Sequence, residues 1–195
     1  MTRLGVLVSG QGTNLAAILR ACARGDIPGA VVFVASNRPS CPALQVAREG
    51  GVPNVRGFTL GEYGDLTTRD AAMAMALQEA GVELVVTAGY DRVLDEGFVA
   101  AFEGRILNVH PSLLPAFGGG MDAIQEALRA GAEKTGVTVH LIEPGTVDAG
   151  RVLAQEEVQI LPGDTVETLA ERVHAVEHRL LPLSIKAYIE GSLVR

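Results

Sequence analysis

Basic residues are in short supply. Sixteen Lys and Arg stand against 23 Asp and Glu in 195 residues, a formal net charge of -7 and a pI near 5.1. A long nucleic-acid footprint needs a basic face to neutralise phosphates, so nucleic acid is not an expected partner and any anionic ligand must be held locally. Cysteine is nearly absent too. Cys22 and Cys41 show neither C-x-x-C spacing nor the dense even pattern of a disulfide scaffold, which fits small core fillers in a reducing, cytoplasmic compartment. No stretch approaches the roughly 20 apolar residues of a membrane span, and M-T-R-L-G-V-L-V-S-G lacks the basic and apolar regions of a signal peptide. A soluble protein with no membrane partner is expected. Internal repeats, low-complexity tracts and interdomain linkers are missing as well, and 48% hydrophobic content suffices for one sizeable core. The expectation is a single domain over residues 1–195.

What is present is a regular alternation. Apolar runs at Leu4 to Val8, Ala30 to Ala35, Leu84 to Ala88 and Arg105 to Val109 are short, rich in β-branched residues and bounded by Gly, Ser or Asn, as buried parallel strands are. A weaker third strand falls near Asn54 to Phe58. Helical patterns separate them at Asn14 to Ala23, Pro42 to Glu49, Thr67 to Ala80 and Asp95 to Phe102. After a helix over Met121 to Ala130, two strands follow, Gly136 to Ile142 and Val152 to Ile160, separated by E-P-G-T-V-D-A-G. The last helix, Thr165 to Tyr188, places Val166, Leu169, Val173, Val176 and Leu180 on one stripe. The fold class is α/β: one doubly wound, mostly parallel sheet with helices on both faces and the last strands antiparallel.

The first strand runs into S-G-Q-G-T-N and then a helix, so backbone N–H groups around Gly10 and Gly12 can converge on an anion, phosphate above all. A dinucleotide fingerprint would want Gly where Leu15 stands and an acid where Ser36 and Asn37 stand. A Walker loop would need Gly-Lys-Ser/Thr. The competing reading is a tight turn in which Thr13 or Asn14 merely caps the helix.

The run I-L-N-V-H-P-S-L-L-P, Ile106 to Pro115, is the most informative stretch. Strand alternation sends Asn108 and His110 to the same face, and Pro111 ends the ladder where side chains can meet a ligand. Asp148, in V-D-A-G between the two late strands, is a carboxylate that the sheet could bring over the same strand ends, unless it only forms an Asx turn. An amide, an imidazole and a carboxylate together suit acyl transfer: the first two face a developing oxyanion, and the third favours the imidazolium and relays a proton. No G-x-S-x-G elbow supports a serine hydrolase. No metal is expected, since His140, His174 and His178 form no ligand motif, although His174 and His178 lie four apart on a helix.

In order along the chain, S-G-Q-G-T-N, A-G-Y-D-R-V-L, I-L-N-V-H-P-S-L-L-P, G-V-T-V-H and V-D-A-G-R-V-L-A-Q resemble the phosphoribosylglycinamide formyltransferases, folate-dependent enzymes of purine biosynthesis within the wider formyltransferase family. The likeness spans nearly the whole chain. It implies that Asn108, His110 and Asp148 are the catalytic trio and that a formyl group moves from 10-formyltetrahydrofolate to the amine of glycinamide ribonucleotide. It further implies that Gly12, Thr13 and Asn14 hold the ribonucleotide phosphate and Glu177 its sugar or glycinamide part. Asp91, Arg92, Val93, Leu94, Asn108 and Val147 would line the folate pocket, and the Leu114–Pro115 bond would be cis. A monomer or homodimer would serve.

Departures from the pattern are specific. Asp91 stands where the resembling segment usually has an apolar residue, which puts the pocket wall in question. Leu66 falls where relatives often carry Arg near the folate glutamate tail, with Arg69 one helical turn away as a substitute. Gly118 to Gly120 make the loop after Pro115 permissive, and it is expected to close over the ribonucleotide. Rival readings are methionyl-tRNA formyltransferase, for which the chain offers no tRNA-binding domain, formyltetrahydrofolate deformylase, with water as acceptor, and a nucleotide-binding sensor without turnover.

Overall fold

The computed structural model describes residues 1–120 and 122–192. Its chain order is β1 (Thr2–Val8), α1 (Thr13–Ala23), β2 (Gly29–Ser36), α2 (Pro42–Glu49), β3 (Asn54–Gly57), α3 (Leu60–Tyr63), α4 (Leu66–Glu79), β4 (Leu84–Thr87) and α5 (Glu96–Ala101). Then come β5 (Ile106–His110), α6 (Ala123–Arg129), β6 (Lys134–Leu141), β7 (Val152–Gln159) and α7 (Val166–Ile189). Met121, the expected first residue of the helix observed as α6, lies outside the described residues.

Seven strands form one sheet in the order β3-β2-β1-β4-β5-β6-β7. The pairs from β3 to β5 are parallel, whereas β6 and β7 run antiparallel to their neighbours, as the sequence predicts. Strand order reverses beside β1, whose partners are β2 and β4, so a crevice opens at the carboxyl ends of these strands. That crevice is where the glycine loop leaves β1.

Each sheet face carries its own apolar layer, and strand alternation decides which residue goes where. Leu4, Val6 and Val8 pack with Leu15, Ile18, Leu44, Leu169 and Leu181 from α1, α2 and α7. Leu7, Phe33 and Ala35 face the other way, against Met73 and Leu77 of α4, Phe98 of α5 and Phe102 just past its end. Helix starts follow local chemistry. Asp65 accepts from Thr68 N at 2.7 Å, Asp95 from Gly97 N at 2.8 Å, Pro42 occupies the first turn of α2, and Thr165 and Thr168 form a reciprocal capping box on α7. Among the described residues, no helix is long and apolar enough to cross a membrane.

Candidate active site

A cavity of about 970 Å3 opens over the carboxyl ends of β1, β4 and β5. Three chain segments wall it. The glycine loop contributes Gly10 to Asn14, the loop after β4 contributes Gly89, Tyr90 and Arg92 to Leu94, and the β6–β7 connection contributes Gly145 to Asp148. Asn108 and His110 form part of its floor, and His174 and Glu177 reach in from α7.

The sheet register builds the end that holds the amide, the imidazole and the carboxylate. Antiparallel pairing sets Asn108 opposite His140 and His110 opposite Thr138. Thr87 Oγ1 donates to Asn108 Oδ1 at 2.5 Å, which turns the amide so that Nδ2 meets His140 Nε2 at 3.0 Å. His140 Nδ1 donates to Leu141 O at 2.9 Å, so Nε2 of the neutral ring is an acceptor, as Asn108 requires. Asp148 lies between two imidazoles, its Oδ2 3.5 Å from His110 Nδ1 and its Oδ1 3.5 Å from His140 Nε2. A hydrogen bond from His140 when its Nε2 carries a proton, then the Gly119 N–H and the charge on His110, lower the Asp148 carboxyl from its ordinary value against the opposing effect of burial. His140 Nε2 can donate to Asp148 only by giving up the Asn108 amide. The amide contact, at 3.0 Å, is shorter than the aspartate contact, at 3.5 Å, so the aspartate is the looser partner.

The turn that carries His110 is anchored from the late strands. Thr138 Oγ1 donates to Ser112 O at 2.7 Å and accepts from Leu114 N at 3.1 Å, while Gln155 Nε2 donates to Leu114 O at 2.9 Å. The Leu114–Pro115 bond is cis, as the resemblance implies. His110 Nε2 meets the carbonyl of Phe117 at 3.0 Å. A carbonyl only accepts, so Nε2 carries the hydrogen. Gly150, two residues past Asp148, packs so tightly that a Cβ there would fall 2.0 Å from Leu141 O. The aspartate therefore stands on a connection pressed against β6.

At the other end, α1 begins without a side-chain cap. Gly12 is its cap residue, at φ 82, and neither Thr13 nor Asn14 performs the capping role weighed above. Its leading N–H groups are free to face an anion. Asn14 Nδ2 donates to Glu177 Oε2 at 2.9 Å, linking α1 to α7. Glu177 is only 5% exposed, and burial pushes its carboxyl above the ordinary range although Asn14 and the charges of His174 and His110 pull the other way.

Of the residues assigned above to the catalytic trio, the ribonucleotide and the folate, all but one line the cavity. Asp91 does not line the cavity. Its carboxylate turns back to Asn37 and Arg38, so the polar residue in a usually apolar position leaves the pocket wall to Arg92, Val93 and Leu94. The suggested substitution of Arg69 for an arginine at Leu66 is overturned: Arg69 is 1% exposed and locked against Asp70 at 2.8 Å, out of reach of an exposed ligand tail. His174 and His178 stack with centroids 6.4 Å apart. Sequence reasoning gave no site role to Thr87, His140 or His174. The alternation of Thr138 and His140 in G-V-T-V-H was the available signal for one of them.

Comparison with known proteins places the chain in a family. Residues 2–185 match the formyl transferase family model. The chain is 43% identical over 185 residues to a phosphoribosylglycinamide formyltransferase of Mycobacterium tuberculosis, covering 95% of this chain and 84% of that one. Against the enzyme of the same name from Haemophilus influenzae the identity is 38%, covering 99% and 90%. It also matches a trifunctional purine biosynthetic protein of Gallus gallus at 41%, where it spans 19% of that much longer protein. A crystal structure of glycinamide ribonucleotide transformylase 1 from Symbiobacterium toebii superposes with a TM-score of 0.95 at 47% identity, covering 100% of this chain and 91% of that one. At this identity and coverage, the chain belongs to the formyl transferase family and is a formyltransferase.

Proposed function

We propose that, within the formyl transfer of purine biosynthesis that the relatives support, residues 1–195 act as one catalytic domain that moves the formyl group of 10-formyltetrahydrofolate to the primary amine of glycinamide ribonucleotide. The observation that carries this reading is the convergence of Asn108, His110 and Asp148 in the same cavity as an uncapped helix N-terminus. One end suits a phosphate, and the other suits a tetrahedral oxyanion.

The chemistry follows from the donors present. With His140 satisfying one Asn108 Nδ2 hydrogen, the second is left for the formyl oxygen. A protonated His110, flanked by the ionised Asp148, supplies the other donor, with substrate replacing Phe117 O at Nε2. The amine nitrogen bonds to the formyl carbon, negative charge collects on the formyl oxygen, and collapse of that intermediate breaks the bond from carbon to the folate nitrogen. That nitrogen takes the proton that the amine gives up, passed through the His110–Asp148 pair. Gly12, Thr13 and Asn14 hold the phosphate and Glu177 the ribose or glycinamide part. Backbone of Arg92, with Val93, Leu94 and Val147, receives the folate heterocycle.

Isotopic labelling of the formyl group tests this. Label appearing on the ribonucleotide amine, and only when that amine is present, is the expected result. Label released as formate without an acceptor would make the protein a deformylase, and retention on the folate would leave a binding protein.

A further inference from the structure

Asp91 belongs to a closed ring of hydrogen bonds that no part of the reaction above uses. Ser9 Oγ, at the end of β1, donates to Asn37 Oδ1 at 2.6 Å. Asn37 Nδ2, just past β2, donates to Asp91 Oδ1 at 2.8 Å, and Asp91 N donates back to Ser9 Oγ at 3.0 Å. The amide orientation is unambiguous, since an ionised carboxylate only accepts and so must face the NH2 group. Arg38 pairs with Asp91 Oδ2 from outside, its side chain 57% exposed, and Arg92 Nε lies 3.9 Å from Oδ1.

The ring ties three strand ends together where the sheet order reverses. Ser9 N also donates to Gly89 O at 3.0 Å, so the loop from Gly89 to Leu94 is held to β1 at both Gly89 and Asp91. Val93 is 63% exposed, and Tyr90 and Leu94 pack on the core to either side, so between those two anchors the polar ties of Asp91 set the course of the backbone. A loop whose backbone must receive a flat heterocycle gains affinity when its shape is set beforehand, because the cost of ordering it is met in folding. Ser9 immediately precedes the glycine loop, so the same ring joins the two ends of the cavity.

We propose that Asp91 is a positioning residue that presets the folate-facing loop through Asn37 and Ser9, an arrangement specific to the acidic residue this chain carries. The inference rests on the folate reading of that loop. Asp91→Ala removes the acceptor of Asn37 and is expected to weaken binding of a non-reactive deazafolate about tenfold, the scale of a lost charge-assisted hydrogen bond. The KM for the formyl donor should rise with it, while kcat and the KM for the ribonucleotide hold within about threefold and the melting temperature within a few degrees. Asp91→Asn keeps the acceptor and loses the exposed pair with Arg38, a contact worth little, so it should recover most of the affinity.

Direct titration of the deazafolate separates the outcomes. Tight wild-type binding that is unchanged in Asp91→Ala overturns the positioning role and leaves the function reading intact. Equal losses in donor KM, acceptor KM and kcat with a lower melting temperature would mark a general structural role and overturn it too. Absence of wild-type folate binding would remove the function reading and this inference together.

Discussion

Asn108 has two amide hydrogens, and among the described residues only His140 takes one. The side chain is thus a half-used donor whose direction is set by Thr87 on one side and His140 on the other. Thr87→Val deletes the hydroxyl at 2.5 Å while keeping the shape of the side chain, and it frees the amide to rotate. It is expected to lower kcat about tenfold or more, the scale of a misplaced oxyanion donor, with ribonucleotide KM little changed, as steady-state kinetics would read. Glu177 sits at the opposite extreme, a buried carboxyl whose folded value is raised. The sign is that of a group that prefers its neutral form when folded: its stabilising share is present below its unfolded value and is lost as pH rises through the folded one. At neutral pH, Glu177→Gln should therefore raise the melting temperature of the free protein by a few degrees while raising ribonucleotide KM. Thermal scans at pH 5 and 8 would read the difference narrowing toward acid.

At the scale of elements, the glycine loop and α1 act as one unit. Gly12 combines φ 82 with a position where a Cβ would fall 2.8 Å from the Ala43 backbone. Backbone cannot give way as a side-chain tip does, so Gly12→Ala is expected to destabilise by about 2 kcal/mol or more. It should also abolish phosphate-dependent protection of the loop, measured by hydrogen exchange with and without ribonucleotide. Elements of this kind were largely legible beforehand. The buried strands announced themselves by short β-branched runs, and α2 was bounded correctly by Pro42 and Gly50. The helix α3 was not foreseen, because four residues after a Thr59 cap carry no period. β6 starts two residues before the expected Gly136, where alternation is masked by Lys134 at the sheet end. The neighbours of the trio were harder still. His140 comes to Asn108 through cross-strand register, and Asp91 turns to Asn37 through the packing of two loops; both depend on pairings distant in sequence that no local pattern encodes.

For the whole molecule, the decisive property is topology. A reversal of strand order beside β1 gathers the ends of β1, β4 and β5 into one crevice, and two antiparallel strands fold Asp148 back over it. Residues separated by most of the chain, Asn14 and Glu177, then meet at hydrogen-bond distance. Helices packed on both faces frame this crevice, which the proposed function fills with an anionic ligand at one end and a flat heterocycle at the other. The central claim is that the two ends serve one reaction. It is tested most directly by mixing the protein with glycinamide ribonucleotide and 10-formyl-dideazafolate and following the deformylated folate by its absorbance. An Asn108→Ala/His110→Ala variant and a ribonucleotide lacking the amine are the controls. Absorbance change that requires both the amine and the intact pair is the outcome expected here; change that proceeds without the amine, or that survives loss of both side chains, would contradict the account.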